Sequence, residues 1–116
     1  MNKTKDTIIS NYSNGAINTT CQTLNNIKHG EYVMYQPNGQ IHLKGNYIDD
    51  KKEGRWVTYY WNGQIESDSF YKNGLLHGVW KIYNDDGDLE RESFYTNGIL
   101  NEQPTIYIDD PMYGYR

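Results

Sequence analysis

The chain has 116 residues, 36% of them hydrophobic and 15% aromatic, and its length predicts one domain. An apolar content below the roughly 45–50% of ordinary globular chains argues against a thick two-layer core, and large rings burying area on a thin sheet offset the deficit. The formal net charge of −4 argues against anionic lipid, and free nucleic acid needs a basic groove, so neither is an expected ligand. No stretch approaches the roughly 18 consecutive apolar residues of a membrane span. The start, MNKTKDTIISNYSNG, lacks the apolar run of a signal peptide, so a soluble cytoplasmic protein is expected. Cys21 is the single cysteine; it forms no internal disulfide, fits a reducing compartment and reads as a small structural residue.

In chain order, a tail of residues 1–5 precedes a tandem array over 6–110. Its units are about 6–29, 30–53, 54–77, 78–101 and a partial 102–110, with a second tail at 111–116. The array is declared by Asn14-Gly15, Asn38-Gly39, Asn62-Gly63 and Asp86-Gly87, which fall 24 residues apart, a period typical of repeat architectures. Strands are expected near Glu31–Tyr35, Gln40–Tyr47, Arg55–Tyr60, Gln64–Tyr71, Val79–Tyr83 and Asp88–Tyr95, which are rich in Trp, Tyr, Phe, Val, Ile and Thr. Asn-Gly between such runs predicts type I′ hairpin turns. Asn73-Gly74 and Asn97-Gly98 mark a second turn per unit.

Further columns keep the same step: Gly30, Gly54 and Gly78; Tyr32, Trp56 and Trp80; Tyr35, Tyr59, Tyr83 and Tyr107; Ile17, Ile41, Ile65 and Leu89; Tyr47, Tyr71 and Tyr95. The glycines before the aromatic strands are expected to allow a bulge or a close backbone approach. Strict alternation puts Trp56 and Tyr59 on opposite faces, whereas a bulge near Gly54 or strong twist brings them to one, and both arrangements remain open. The fold class expected is all-β: 24-residue hairpin repeats in one elongated, twisted antiparallel sheet.

Gly-x-Trp-x-x-Tyr, then Asn-Gly, then Phe-Tyr-x-Asn-Gly, as in Gly54–Gly74, resembles the MORN-type repeats (membrane occupation and recognition nexus), in the bacterial variant described as an antitoxin component. The resemblance covers roughly residues 6–110. It implies a scaffold of β-hairpins that binds proteins or, in some members, lipids, and it carries no catalytic residues. The end units depart from the pattern and are expected to act as caps. Ile8, Asn11 and Thr23 fill the aromatic columns of the first, and Glu102 and Pro111 replace glycines of the last.

Charge is uneven: residues 1–83 sum to +2 and 84–116 to −6. The acidic members are Asp85, Asp86, Asp88, Glu90, Glu92, Glu102, Asp109 and Asp110. They serve either solubility and edge protection or steering toward a basic partner. Asn84–Glu90 places oxygen ligands around a Gly but lacks the bidentate Glu of a calcium loop, so a hairpin turn is the better reading. His29 and His77, 48 residues apart, have no metal-ligand spacing. Glu66 and Asp68 have no cleft to separate their acidities. No catalytic residue, metal site or cofactor is expected.

The expected function is therefore a noncatalytic protein-binding module, a small inhibitor or antitoxin-like neutraliser of a bacterial, phage or mobile-element effector such as a toxin or RNA-guided nuclease. The alternative is a structural or membrane-surface adaptor. The expected partner-binding residues are Tyr32, Tyr35, Trp56, Tyr59, Trp80, Tyr83, Asp85, Asp86, Asp88, Glu90 and Glu92, with only the solvent-facing aromatic column qualifying. Tyr, Trp and Arg dominate binding hot spots, and the partner is expected to be a basic, nucleic-acid-binding protein. Open sheet edges also allow a homo-oligomer.

Overall fold

A computed structural model describes residues 3–101 and the short strand at Thr105–Ile106. All its regular elements are strands: β1 (Lys5–Asn11), β2 (Ile17–Leu24), β3 (Ile27–Tyr35), β4 (Ile41–Ile48), β5 (Lys51–Tyr59), β6 (Ile65–Lys72), β7 (Leu75–Leu76), β8 (Gly78–Tyr83), β9 (Leu89–Thr96), β10 (Ile99–Leu100) and β11 (Thr105–Ile106). They form one sheet in chain order, with β7 paired to β6 and both β10 and β11 paired to β9. Every pairing is antiparallel. Extents of 61 × 35 × 15 Å describe a single-layer ribbon. The all-β repeat sheet expected from the sequence is what the chain forms, and Glu102, Asp109, Asp110 and Pro111 lie outside the described residues.

The two rims of the ribbon carry different turns. At Tyr12–Gly15, Gln36–Gly39, Tyr60–Gly63 and Asn84–Gly87 the fourth amide donates to the first carbonyl at 2.8–3.0 Å. Only the glycine has positive φ there, at +87° to +93°. This is a type I turn closed by a left-handed glycine, not the type I′ turn that Asn-Gly suggested. Asn14, Asn38 and Asn62 stay right-handed because their side-chain oxygens accept the amide two residues on, from Ala16, Gln40 and Gln64, at 2.9–3.0 Å. The type I′ conformation occurs at the other rim, where Asn25-Asn26, Asp49-Asp50, Asn73-Gly74 and Asn97-Gly98 have positive φ at both residues.

Two kinds of bulge recur. Beside the type I turns the ladder gains one residue, so that Glu66 is extra between Ile65 and Ser67 and Glu90 between Leu89 and Arg91. Near the second rim it gains two. Lys44 pairs with Val57 and Asn46 with Glu53, leaving Gly54–Trp56 opposite Gly45. The bulge expected at the glycine column is therefore present, with Gly30, Gly54 and Gly78 at φ +118°, +76° and +107°. Strands begin before those glycines, at Ile27 and Lys51 rather than Glu31 and Arg55, because a bulge interrupts a strand without starting it. An even insertion also preserves the facing of residues on either side of it.

One face carries the aromatic spine. Trp56 lies at 5.1–6.3 Å from Tyr47, Tyr32 and Tyr71, between ring centroids, and Trp80 stands 6.0 Å from Tyr95. Space for these rings comes from small residues in the adjoining column, Cys21, Gly45, Ser69 and Ser93, again 24 apart. Cys21, Ser69 and Ser93 are buried. A Cβ on Gly45 would overlap the Trp56 ring. Desolvation in this setting pushes the Cys21 thiol up. Lys28 lies over Tyr32 and Tyr47 and Lys52 over Trp56 and Tyr71, the closer approaches being 4.7–4.9 Å, so their stems cover the spine.

Candidate partner-binding surface

The register assigns the two aromatic columns to opposite faces. Trp56 pairs with Ser69 on the spine face, whereas Tyr59 pairs with Ile65 on the face of Val57 and Asp68. Tyr32 and Trp80 follow Trp56, and Tyr35 and Tyr83 follow Tyr59. Trp56 is 3% exposed, so this ring holds the sheet together and offers a partner no surface, which corrects its expected role. The other five rings are half-buried.

On the Tyr59 face, Arg55 donates to both oxygens of Asp68, from Nε at 2.9 Å and Nη2 at 2.8 Å. That hydrogen-bonded pair raises the Arg55 pKa, and Tyr59 and Tyr83 stand close enough to add to the effect. Lys81 reaches Glu92 at 4.0 Å. A shallow hollow of about 260 Å³ lined by Glu31, Lys44, Arg55, Val57 and Tyr59 lies beside them. Its lining charges are of both signs, and Arg55 and Asp68 hold one another as a structural ion pair.

The acidic residues gather elsewhere, on the type I rim. Asp85, Asp86, Asp88 and Glu90 are exposed, while Glu92 is half-buried on the Tyr59 face. The bulge brings Glu66 to the same rim, one unit earlier. Tyr60 registers the convergence: its pKa is raised by desolvation and then by Glu66, Glu90 and Asp85. Adjacent turns are tied together there, since Tyr60 Oη donates to Tyr83 O at 2.6 Å and Asn62 Nδ2 to Asp85 O at 2.8 Å. Between them stands Trp61, 70% exposed, in the column occupied elsewhere by Ser13, Pro37 and Asp85. An aromatic ring in a column of turn residues was the available sequence signal for it.

The Asn84–Glu90 loop spends its central acceptor internally, because Asn84 Oδ1 takes the amides of both Asp86 and Asp88 at 3.0 Å. That is a hairpin turn. His29, Glu53 and His77 also have a backbone task. His29 Nδ1, Glu53 Oε1 and His77 Nδ1 accept the amides of Asp49, Asn73 and Asn97, the first residue of the next type I′ turn, at 3.1–3.4 Å.

A single-layer ribbon of hairpins with a 24-residue period, carrying side-chain chemistry on its rims rather than in a cleft, defines a β-hairpin repeat module. The family model of the MORN repeat variant matches residues 28–49, 52–73 and 76–97. The chain belongs to that family, and its three matched repeats step by the same 24 residues as the turns. MORN repeats are in general noncatalytic repeat modules that bind proteins or membranes. No curated protein matches the chain.

Proposed function

We propose that this protein captures a basic partner protein on its acidic rim and acts by occupying it, as a small antitoxin-like or inhibitor protein in the cytoplasm. The observation that carries this reading is Trp61, 70% exposed, next in the turn to Tyr60, where the fields of Glu66, Glu90 and Asp85 meet. Tryptophan is the residue type most enriched in binding hot spots, and acidic groups around it steer a cationic surface to the encounter. A bacterial or mobile-element effector with a basic nucleic-acid channel, a toxin nuclease or RNA-guided nuclease, has the complementary chemistry.

The test is capture of partners from the native host, followed by association kinetics of the isolated pair. Trp61→Ala is expected to raise the dissociation rate, with a loss of about 2 kcal/mol. A partner bound equally well by that variant would remove the rim from the reading. A membrane-surface adaptor is the second reading, favoured by Lys51 and Lys72, exposed on the type I′ rim. Asp49 and Asp50 interleave with them, so co-sedimentation with anionic vesicles is expected to show no binding at 0.1 M salt.

A further inference from the structure

We infer that two copies of this chain pair through the outer edge of β1, antiparallel and about a two-fold axis at Ile8, to give a closed dimer with one continuous sheet. Among the described residues β1 pairs only with β2, so its other edge presents free backbone donors and acceptors. All seven of its residues are exposed, with Ile8 at 55% and Ile9 at 54%. Natural edge strands are usually blunted by proline, a mid-strand bulge or charges along their length. β1 has no proline, its register shift falls at the Ser10/Asn11 end, and its charges, Lys5 and Asp6, sit together at the other.

The opposite end of the ribbon explains why the occupant is a second copy in this particular arrangement. β9 carries β10 opposite Tyr95 and Thr96 and β11 opposite Arg91 and Glu92. Among the described residues the far edge of the ribbon is therefore β10 and β11, strands of two residues each, so head-to-tail addition, which would generate an open filament, offers the seven residues of β1 only two short ladders. β1 against β1 pairs seven residues with seven, and that contact closes on itself.

The register is fixed by geometry. A two-fold axis perpendicular to the sheet keeps each residue on its own face, so paired residues must be an even number apart. Full overlap of the strand from Lys5 to Asn11 then sets Lys5 opposite Asn11 of the second copy, Asp6 opposite Ser10, Thr7 opposite Ile9 and Ile8 opposite itself. No like charges face each other, and both isoleucines gain apolar or β-branched neighbours. A single strand pair is smaller than the roughly 800 Å² per partner of a stable complex, so the dimer is expected to be reversible.

Sedimentation of the full chain from about 1 μM to about 500 μM tests this, with dimer growing in at the upper end. Ile8→Lys, which places two ammonium groups on the axis, is expected to weaken the dimer about tenfold or more. Ile8 faces Cys21 across β1 and β2, so the cross-linking variant Ile8→Cys is made with Cys21→Ser, the residue that this column carries at Ser69 and Ser93. Mild oxidation is expected to convert it to a disulfide-linked dimer whether or not Ile8→Lys folds. A chain that stays monomeric throughout, an open-ended polymer, a dimer indifferent to Ile8→Lys, or no cross-link from Ile8→Cys would each overturn the assignment.

Discussion

Gly45 lies where the Trp56 ring presses on the sheet, with no room for even one more carbon. Its φ is not in the left-handed region, so the requirement is space rather than backbone freedom. Gly45→Ala is expected to cost about 3 kcal/mol by overpacking, whereas Ser69→Ala, which removes one buried bond from Oγ to Trp56 O at 3.2 Å, should cost about 1 kcal/mol. Urea denaturation of the two variants orders them, and a harmless Gly45→Ala would contradict the packing. The acceptor column makes a different prediction at His77. Because Glu53 does the same work one unit earlier, His77→Glu should hold stability while His77→Leu loses about 1 kcal/mol, read by the same unfolding curves. Tyr32 predicts the alkaline limb. Desolvation and then Tyr47 raise its pKa above the ordinary 10.0, so above that pH the unfolded chain sheds the proton first. Stability is therefore complete below pH 10 from this group and falls as pH climbs past it. Spectrophotometric tyrosine titration beside denaturation at each pH checks the coincidence.

Among elements, the type I turns and the bulges beside them set the ribbon's geometry. Gly63 at φ +87° is closed by its own amide to Tyr60 O at 2.9 Å, and Gly63→Val forces a β-branched residue into that conformation at about 1–3 kcal/mol. Since each hairpin is held by its neighbours, hydrogen exchange should show the loss spread over β4 to β8; loosening confined to β5 and β6 would mean the array is not cooperative. The position of every such turn was legible in the sequence because glycine recurs where left-handed backbone is required. Its type was not, since Asn-Gly serves equally as the centre of a type I′ turn and as the last two positions of a type I turn. What separates them is where the ladder closes, here Tyr60 N to Gln64 O, a fact of the paired strand. The facing of Trp56 and Tyr59 was undecided for a related reason: an extra residue between them would bring both to one face, and where the extra residues fall is set by the partner strands, here at Gly54–Trp56 against β4 and at Glu66 on β6. The acidic members were legible from composition along the chain. Glu66 joined them only through the bulge at its own position, and the burial of Trp56 depends on rings from three other strands.

Across the whole ribbon, charge is divided by rim as well as by chain end. The type I rim of the last two units holds Glu66, Asp85, Asp86, Asp88 and Glu90, and the type I′ rim holds Lys28, Lys51, Lys52 and Lys72 mixed with Asp49, Asp50 and Glu53. In a sheet 15 Å thick the acidic groups have little low-dielectric interior between them and water, so their mutual repulsion is set by ionic strength, with a screening length of about 10 Å at 0.1 M salt. Asp85→Lys combined with Asp88→Lys therefore makes two separable predictions. In the free protein it relieves repulsion, and the melting temperature at low salt should rise slightly, the gain vanishing at 1 M where the screening length is about 3 Å. The exposed turn positions of both residues leave the sheet intact. Toward a basic partner the same change removes the long-range attraction, so association should slow by about tenfold at low salt and its salt dependence should flatten, with dissociation little altered. Thermal melts across a salt series decide the first effect and stopped-flow association across the same series the second. A melting temperature that rises while the association rate and its salt slope stay unchanged would assign the rim to solvation alone and leave Trp61 without its electrostatic guide.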